Sequence, residues 1–269
     1  MTEILYGKPV AESIYAQTQN VCKNRSLTLT AIGFSSPQWQ QYVGSLKKSA
    51  ATCGVKLENV VMDENVASEV FFEAVRCASS CKNVDGVLVQ QPLPKQYAAA
   101  VDFVSPQKDV DCLNSVSVAK LYKGEECLLP ATPLAVIKLL EYYGVDLCGK
   151  NVVIVGRGNA VGKPLALMCL KRNATVTVCH TKTVNLAEIC KRADVLVSAC
   201  GVAGLITEDF VSERSVVVDV GLSFVNGKTC GDVASEVYQK ALAVSPVPGG
   251  IGSVTRATLF GNLIDAIKN

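Results

Sequence analysis

The chain has 269 residues, of which 49% are hydrophobic and 19% charged, and its formal net charge is +2. This length allows one large domain or two smaller ones, and the composition is that of a globular protein. Because the charges form no long blocks of one sign, the sequence predicts no nucleic-acid partner and favours a small molecule as the ligand.

Location and metal binding are also constrained by composition. No run of 18 apolar residues is present, and the start MTEILYGKPV lacks the basic and then apolar pattern of a signal peptide. We therefore expect a cytoplasmic protein without a membrane partner.

The twelve cysteines include no CxxC pair and His180 is the single histidine, so no metal site is predicted. Most of the cysteines are interpreted as small hydrophobic residues of a reduced protein.

In the first half of the chain, short apolar runs alternate with helix-length segments, which predicts a parallel sheet covered by helices. Strands are predicted at 27–34, 55–62 and 84–91. The segments 38–54 and 66–81 between them have the apolar spacing of helices. The following stretch, 92–118, contains three prolines and no sustained period, so it is predicted to be irregular and functional.

The second half has the pattern of a dinucleotide-binding sheet. A helix is predicted over 132–144, because Pro133 lies in its first turn and it stops at a glycine. Strands are predicted at 150–156, 174–180, 193–201 and 215–221. The last segment, 255–269, is expected to be a helix that packs back on the first lobe. We therefore predict two α/β lobes, residues 1–130 with the final helix and residues 131–254, the second a Rossmann-type parallel sheet.

A glycine-rich segment, VVIVGRGNAVGKP, lies where a strand turns into a helix. Glycines at such a turn let the backbone approach a pyrophosphate, which then lies at the helix N-terminus. The spacing GxGxxxG is one residue longer than the usual fingerprint, and an ordinary tight turn with a solvated Arg157 is the alternative. The candidate cofactor residues are Gly156, Arg157, Gly158, Val161, Gly162, Lys163, Pro164, His180, Thr181 and Gly201.

The choice of nucleotide is predicted from the end of the second strand of this lobe. That strand closes with CHTKT and carries no acid to hold a ribose 2′-hydroxyl. A 2′-phosphate would instead find Arg157, with Thr181 and Lys182 as nearby donors. The sequence therefore favours NADP, and NAD remains possible. His180 is expected to pack or hydrogen-bond there rather than to catalyse.

Six phrases occur in one order: YVGSLKK, DGVLVQQPLP, PQKDVDCLN, VGRGNAVGKPLAL, TVTVCHTKT and PVPGGIGSVT. Together they resemble the methylenetetrahydrofolate dehydrogenase/methenyltetrahydrofolate cyclohydrolase family of one-carbon metabolism over nearly the entire chain. The resemblance implies two α/β lobes flanking a cleft, folate held by the first lobe and NADP by the second, and a homodimer. It also implies an NADP-dependent 5,10-methylenetetrahydrofolate dehydrogenase.

The same resemblance assigns the residues that meet folate. Tyr42 matches the tyrosine that lies against the pterin and aminobenzoate, Gln90 the glutamine that works with the catalytic lysine, and Asp111 the carboxylate that receives pterin donors. Each has a structural alternative: a core tyrosine, a strand-end cap and an exposed turn acid. Further substrate residues lie in PVPGG: Pro248, Gly249 and Gly250.

One catalytic position departs from the family. Its lysine stands four residues after the tyrosine, where this chain has Leu46. In the family this amine assists hydrolysis of the methenyl cation, and leucine can neither donate nor accept a proton. We expect cyclohydrolase activity to be weak or absent, whereas hydride transfer mainly needs alignment of the two ligands. The alternative is a shifted helix that brings Lys47 inward.

Further departures lie on the folate side: Trp39, Cys112, Ala131, Ser253 and Val254 replace the usual family residues. This pattern suits a specialised or impaired relative. Two alternatives to the dehydrogenase therefore stay open, a nucleotide-binding protein that catalyses nothing and a dehydrogenase of a different pterin.

Overall fold

The computed structural model describes residues 1–225 and 227–268. Asn226, in the predicted second lobe, and Asn269, at the end of the predicted final helix, lie outside the described residues. Within the two described ranges, no helix combines the length and apolar character that a membrane crossing requires.

The elements alternate along the chain as an α/β protein requires. The helices are α1 (Gly7–Cys22), α2 (Pro37–Cys53), α3 (Ser68–Ser80), α4 (Ser115–Lys123), α5 (Ala131–Tyr142), α6 (Gly162–Leu170), α7 (Leu186–Lys191) and α8 (Ile251–Ala266). The strands are β1 (Glu3–Ile4), β2 (Thr28–Phe34), β3 (Lys56–Met62), β4 (Gly86–Val89), β5 (Asn151–Val155), β6 (Thr175–Cys179), β7 (Val195–Ser198), β8 (Val216–Asp219), β9 (Ser223–Val225), β10 (Lys228–Cys230) and β11 (Ala243–Val244). Short 3₁₀ helices cover Lys95–Phe103, Glu208–Phe210 and Ser235–Gln239.

The chain divides into two compact units. The six-stranded unit contains Met1–Ala11 and Thr132–Thr255, and the three-stranded unit contains Glu12–Ala131 and the chain from Arg256 onward. The first eleven residues differ from the predicted division, because β1 pairs in parallel with β11 and so joins the second sheet. A strand of two residues shows no periodicity, which is why the sequence did not reveal it.

The three-stranded unit is built around β2, the middle strand of the parallel order β3-β2-β4. All seven residues of β2 are buried. Successive strand residues point to opposite faces, and accordingly Leu29 and Ala31 join one hydrophobic cluster with α2 and α8. Ile32 and Phe34 join the other, with Phe71 of α3. The sheet is thus covered on both faces, and its strand ends carry the site.

The six-stranded unit has the order β1-β11-β8-β7-β5-β6. Strand β5 pairs in parallel with β6 on one side and with β7 on the other. The chain leaves β5 for β6 and then crosses back over β5 to β7, so the carboxyl ends of these three strands mark a topological switch point. Ligands of open α/β sheets bind at such a point.

The structure differs from the sequence prediction at two places. The stretch 92–118, predicted to be irregular, contains a 3₁₀ helix and the start of α4. Tyr97 and Ala100 are buried on that 3₁₀ helix, three residues apart, which is the 3₁₀ repeat rather than the α-helical one. Helix α1 was not predicted at all, although Val10 and Ile14 bury its inner face.

Candidate active site

Helix α2 presents the predicted folate tyrosine. The helix begins at Pro37, and the side chain of Ser36 caps it by accepting a hydrogen bond from Trp39 N at 3.2 Å. It ends at Gly54, whose positive φ of 74° suits glycine. With both ends fixed, the register of α2 is set, and Tyr42 and Leu46 lie one turn apart on the same face.

Leu46 is entirely buried. Its relative exposure is 0%, and it packs in the hydrophobic cluster that also contains Val43, with Tyr42 against it. Lys47 and Lys48 are exposed. The register therefore turns both lysines away from the buried face, and the position one turn after Tyr42 carries an aliphatic side chain.

Tyr42 is half-buried and lies within electrostatic range of two groups of opposite charge. Burial, followed by the charge of Asp111, raises the pKa of Tyr42, while Arg256 of α8 acts in the opposite direction. Its ring lies 5.8 Å from that of Trp39. The hydroxyl of Tyr42 makes no hydrogen bond with a described residue, so it is available to a ligand. Sequence reasoning missed Arg256, whose charge also acts to lower the pKa of Tyr15 against the larger effect of burial.

Asp111 lies on a turn that backbone hydrogen bonds hold in place. Its Oδ1 accepts from Ala131 N at 3.2 Å. Burial, with a smaller contribution from the charge of Asp109, raises the pKa of Asp111 to about 7. Asp109 itself accepts from the backbone N–H groups of Leu113 and Asn114, at 3.0 and 2.8 Å. Asp109 therefore shapes the turn, and Asp111 is the carboxylate left with a free oxygen.

Gln90 follows β4, next to β2. Its Oε1 accepts a hydrogen bond from Phe34 N at 2.7 Å, which leaves the Nε2 donors without a partner among the described residues. A Cβ on Gly33 would lie 2.5 Å from this oxygen and 2.5 Å from Cε2 of Trp39, so only glycine fits between them. Trp39 is 3% exposed, and its Nε1 has no hydrogen-bond partner among the described residues. Gln90 is thus oriented by the backbone, with its amide donors free.

In the six-stranded unit the glycine loop has the close packing that a phosphate site requires. Gly156 has a φ of 124°, and a Cβ there would overlap the carbonyl oxygen of Ala199. A Cβ on Gly162 would overlap the carbonyl oxygen of Gly156. Gly158 has open space around it. No side chain caps α6. Lys163 N donates to the carbonyl oxygen of Gly158 at 3.1 Å and Leu165 N to that of Val161 at 2.9 Å, while Pro164 has no N–H. In this first turn, Gly162 N is therefore the N–H without a partner among the described residues.

We predict that Gly162→Ala destabilises the protein by about 1–3 kcal/mol, because the added methyl forces the loop away from the backbone of Gly156. Nucleotide affinity should fall together with stability. Gly44→Ala, in α2 of the other unit, is the control: its added methyl also meets open space, so it should lower neither stability nor nucleotide affinity. Urea unfolding and fluorescence titration with nucleotide measure the two effects, and equal behaviour of the two variants would contradict the prediction.

Arg157, after β5, and Lys182, after β6, carry the positive charge that the predicted 2′-phosphate role requires. Arg157 and Lys182 are exposed, and neither forms an ion pair with a described residue. His180 is part of a turn: its Nδ1 accepts from Lys182 N at 3.1 Å, and its backbone N–H donates to Thr183 Oγ1 at 2.8 Å. His180 thus hydrogen-bonds locally, and its non-catalytic role stays a prediction.

Two buried carboxylates hold the loop after β7, and the sequence did not reveal them. Asp232 accepts from the backbone N–H groups of Cys200, Gly201 and Val202. Asp219 in turn accepts from Asp232 N at 3.0 Å, and burial raises the pKa of Asp219 to about 6. A Cβ on the glycine before Asp232 would overlap the Asp219 carboxylate. Asp219 and Asp232 together position the predicted cofactor residue Gly201.

The segment PVPGG lies in the six-stranded unit, directly before α8. Pro248 follows a cis peptide bond, and Gly249 has a φ of 112°. The carbonyl oxygen of Gly249 accepts from Gly7 N at 2.8 Å, and that of Gly250 accepts from Ser253 Oγ at 2.8 Å.

Among the described residues, no group of three or more His, Cys, Asp or Glu side chains is arranged to hold a metal ion.

Fold and site define a two-unit α/β protein of the nicotinamide-nucleotide dehydrogenase class. Residues 5–111 match the family described as tetrahydrofolate dehydrogenase/cyclohydrolase, catalytic domain. Residues 130–269 match its NAD(P)-binding domain. The chain belongs to the tetrahydrofolate dehydrogenase/cyclohydrolase family.

Individual relatives agree with this assignment. The chain is 43% identical over 272 residues to the bifunctional protein FolD of Clostridium perfringens, with 98% of each chain covered. The solved bifunctional FolD of Campylobacter jejuni is 36% identical, with a TM-score of 0.96 over 100% of this chain and 99% of that one. The Trypanosoma brucei FolD, solved with NADP and an inhibitor, is 32% identical, with a TM-score of 0.92 over 99% and 97%.

The predicted family, its enzyme class and the two-lobe α/β architecture are therefore confirmed. The roles of Tyr42, Gln90, Asp111 and the cofactor residues stay predictions.

Proposed function

We propose that the protein is an NADP-dependent 5,10-methylenetetrahydrofolate dehydrogenase with little cyclohydrolase activity. The observation that carries the proposal is the burial of Leu46 one turn from Tyr42, in a chain whose Gln90, Asp111 and glycine loop all match the family pattern. The resemblance to the family implies a lysine at this position in members with both activities.

The three-stranded unit supplies the groups that bind and align folate. Asp111, when ionised, accepts hydrogen bonds from the pterin ring, and Tyr42 offers its ring face for stacking and its hydroxyl for a hydrogen bond. Gln90 is held through its Oε1 and donates through Nε2. The guanidinium of Arg256 adds positive charge within electrostatic range of Tyr42. These groups hold the ligand in one orientation, and none of them forms a bond to its reactive carbon.

The six-stranded unit fits the nucleotide. Gly156 and Gly162 allow close approach of a pyrophosphate to the α6 N-terminus, and Gly201 is held at the neighbouring strand end. NADP, when bound, supplies the acceptor for the hydride of the methylene carbon. Because hydride moves directly between the two ligands, alignment is the main demand on the protein.

Hydrolysis makes a different demand. Water must add to the methenyl cation while a proton leaves it, and a side chain that accepts this proton accelerates such steps by about 10²–10⁴-fold. Leu46 cannot accept it, and Lys47 is exposed on another face of α2. Low cyclohydrolase activity follows from that substitution.

The selectivity for NADP gives a testable prediction. Arg157→Gln should weaken NADP binding by about 10–100-fold, since hydrogen bonds to a charged group contribute roughly 1.5–3 kcal/mol. NAD lacks the 2′-phosphate, so its affinity should change little. Arg192→Gln is the control, because Arg192 is an exposed arginine of the same unit that is not among the predicted cofactor residues. Equal losses of NADP and NAD affinity for Arg157→Gln would contradict the prediction.

The function itself is tested by following methenyl formation spectroscopically with NADP and with NAD. We expect turnover with 5,10-methylenetetrahydrofolate and a clear preference for NADP. Nucleotide binding without folate binding would instead support a non-catalytic protein, and turnover restricted to another pterin would support a different substrate.

A homodimer and a cytoplasmic location belong to the same proposal. Leu222, Phe224 and Val225 expose 62%, 70% and 42% of their surface at and beside β9, an apolar patch that a second copy would cover. None of the twelve cysteines is in a disulfide within the described residues, which suits a reducing compartment. Light scattering should give a molar mass twice that of the chain. Phe224→Lys should lower this mass to that of a single chain, whereas Tyr122→Lys on the other unit should leave it unchanged.

A further inference from the structure

The loop that follows β7 in the six-stranded unit, residues 199–202, is held by one buried carboxylate. Asp232 is 0% exposed, and it lies about 30 residues further along the chain. Its two oxygens accept hydrogen bonds from the backbone N–H groups of Cys200, Gly201 and Val202, at 2.9, 3.3 and 2.8 Å. Because hydrogen bonds to an ionised acceptor are the stronger ones, this side chain fixes three successive residues of the loop.

Asp232 is itself held at the end of β8. Asp219, the last residue of that strand, accepts from Asp232 N at 3.0 Å through Oδ1 and from Val233 N at 2.9 Å through Oδ2. A Cβ on Gly221 would overlap the Asp232 carboxylate, and a Cβ on Gly231 would overlap the Asp219 carboxylate. Each glycine thus makes room for the carboxylate of the other segment. The position of Asp232 is therefore set by a buried strand of the sheet.

The other side of the loop 199–202 packs on the glycine loop. Ala199 N donates to the carbonyl oxygen of Val155 at 2.8 Å. A Cβ on Gly156 would overlap the carbonyl oxygen of Ala199, and a Cβ on Gly162 would overlap the carbonyl oxygen of Gly156. These backbone segments lie too close together to admit a methyl group. Because close-packed groups transmit small displacements, a shift of the loop 199–202 would alter the shape of the glycine loop.

We propose that Asp232 is a positioning residue for the nucleotide, which holds the loop 199–202 against Gly156 and so sets the shape of the pyrophosphate site. The proposal rests on the proposed role of the glycine loop and Gly201 in binding NADP. Asp232 acts through the loop, because both of its oxygens already accept hydrogen bonds from the chain. The contribution of Asp232 is common to NADP and NAD, since the two nucleotides share the pyrophosphate.

Asp232→Asn tests the proposal with almost no change in side-chain volume. An amide keeps one acceptor oxygen and places an NH₂ donor where the second oxygen was. That donor would face backbone N–H groups of the loop, so the loop must shift. We expect the KM for NADP and the KM for NAD each to rise by about tenfold, the size of effect that loss of about one buried hydrogen bond produces. The kcat and the KM for methylenetetrahydrofolate should stay near the wild-type values.

Asp194→Asn is the matched control. Asp194 belongs to the same unit, and its Oδ2 also accepts from a backbone N–H, that of Asn151 at 2.8 Å. Asn151 is the first residue of β5, so this hydrogen bond lies at the amino end of the strand, opposite the glycine loop. The variant loses the same kind of hydrogen bond, and its affinity for both nucleotides should be unchanged.

The split between KM and kcat separates positioning from a purely structural role. A variant that only folds less completely has a smaller active fraction, which lowers kcat and leaves the KM values as they are. Calorimetric titration with NADP and with NAD measures the same affinities without turnover. If the chain turns over no folate, the proposed function fails, while the titrations still test the role of Asp232.

Ser198→Ala gives a milder second variant. Ser198 is 0% exposed, and its Oγ donates to Asp232 Oδ2 at 2.9 Å. Its removal leaves Asp232 with the three backbone N–H groups, so the dissociation constants of both nucleotides should rise by only about two- to threefold. This variant decides the matter if Asp232→Asn does not fold.

Unchanged nucleotide affinity in folded Asp232→Asn would overturn the proposal, and in its absence so would unchanged affinity in Ser198→Ala. A loss confined to NADP would also overturn it, because the effect would then belong to the 2′-phosphate. The same holds for an equal loss in Asp194→Asn or an equal rise in the KM for methylenetetrahydrofolate.

Discussion

Leu46→Lys is expected to raise the rate of methenyltetrahydrofolate hydrolysis by about 10²–10⁴-fold, the range that a positioned proton-transfer group contributes. The new lysine side chain would replace a fully buried leucine one turn from Tyr42. Apolar surroundings lower the pKa of a lysine, so part of the amine would be neutral near pH 7 and able to accept a proton. Dehydrogenase activity should change much less. The measurement is the loss of methenyl absorbance, corrected for spontaneous hydrolysis.

Leu46→Met is the matched control, because methionine has a similar volume and no proton to transfer. It should retain dehydrogenase activity and show no gain in hydrolysis. A hydrolysis rate for the lysine variant equal to that of the methionine variant, with dehydrogenase activity intact in both, would show that this position does not limit the reaction.

Asp111→Asn should lower folate affinity by roughly 10²–10⁴-fold, because two hydrogen bonds to a charged acceptor contribute about 1.5–3 kcal/mol each. An amide presents one donor where the pterin needs two acceptors. The exposed Asp63→Asn in the same unit is the control and should bind folate normally. Equilibrium titration with a folate analogue distinguishes them.

The same carboxylate predicts the direction of the pH dependence. The pKa of Asp111 is raised to about 7 by burial, so the acceptor form predominates above pH 7 and is lost as pH falls. Folate affinity of the wild type should therefore increase from pH 6 to pH 8, whereas that of Asp111→Asn should be nearly flat over this range. A wild-type affinity that decreases with rising pH would contradict the assigned role.

The long apolar strands and well-signalled helices were predictable because their signals are local. The run 150–156 is continuously apolar, and the helix with Pro133 in its first turn carries its own end signals. Both appear in the structure, as β5 and α5. The glycine loop was found for the same reason. Its close contacts, such as the fit of Gly162 against Gly156, could only be measured once the strand and helix were in place.

Other features depend on residues far apart in sequence. Strands β1 and β11 are two residues each and are defined by their pairing across 240 positions. Arg256 reaches Tyr15 and Tyr42 only because α8 packs beside α1 and α2 in the three-stranded unit. Neither Asp219 nor Asp232 was singled out from the sequence, and their role as acceptors for backbone N–H groups depends on their burial in the folded unit. No period or spacing carries such information.

The substitution at position 46 was read from a resemblance, and the structure adds where that side chain lies. Burial of Leu46 with Val43 shows that it fills the core beside Tyr42. Exposure of Lys47 removes the nearest amine from that face. The two observations together make loss of hydrolysis, with retention of dehydrogenation, the central expectation for this chain.

The most direct test is to measure both activities of the unmodified protein in one preparation with NADP. We predict steady accumulation of the methenyl product, followed by hydrolysis no faster than in buffer alone. Prompt conversion of methenyltetrahydrofolate to the 10-formyl product by the wild-type chain, at a rate that Leu46→Lys does not improve, would contradict the account.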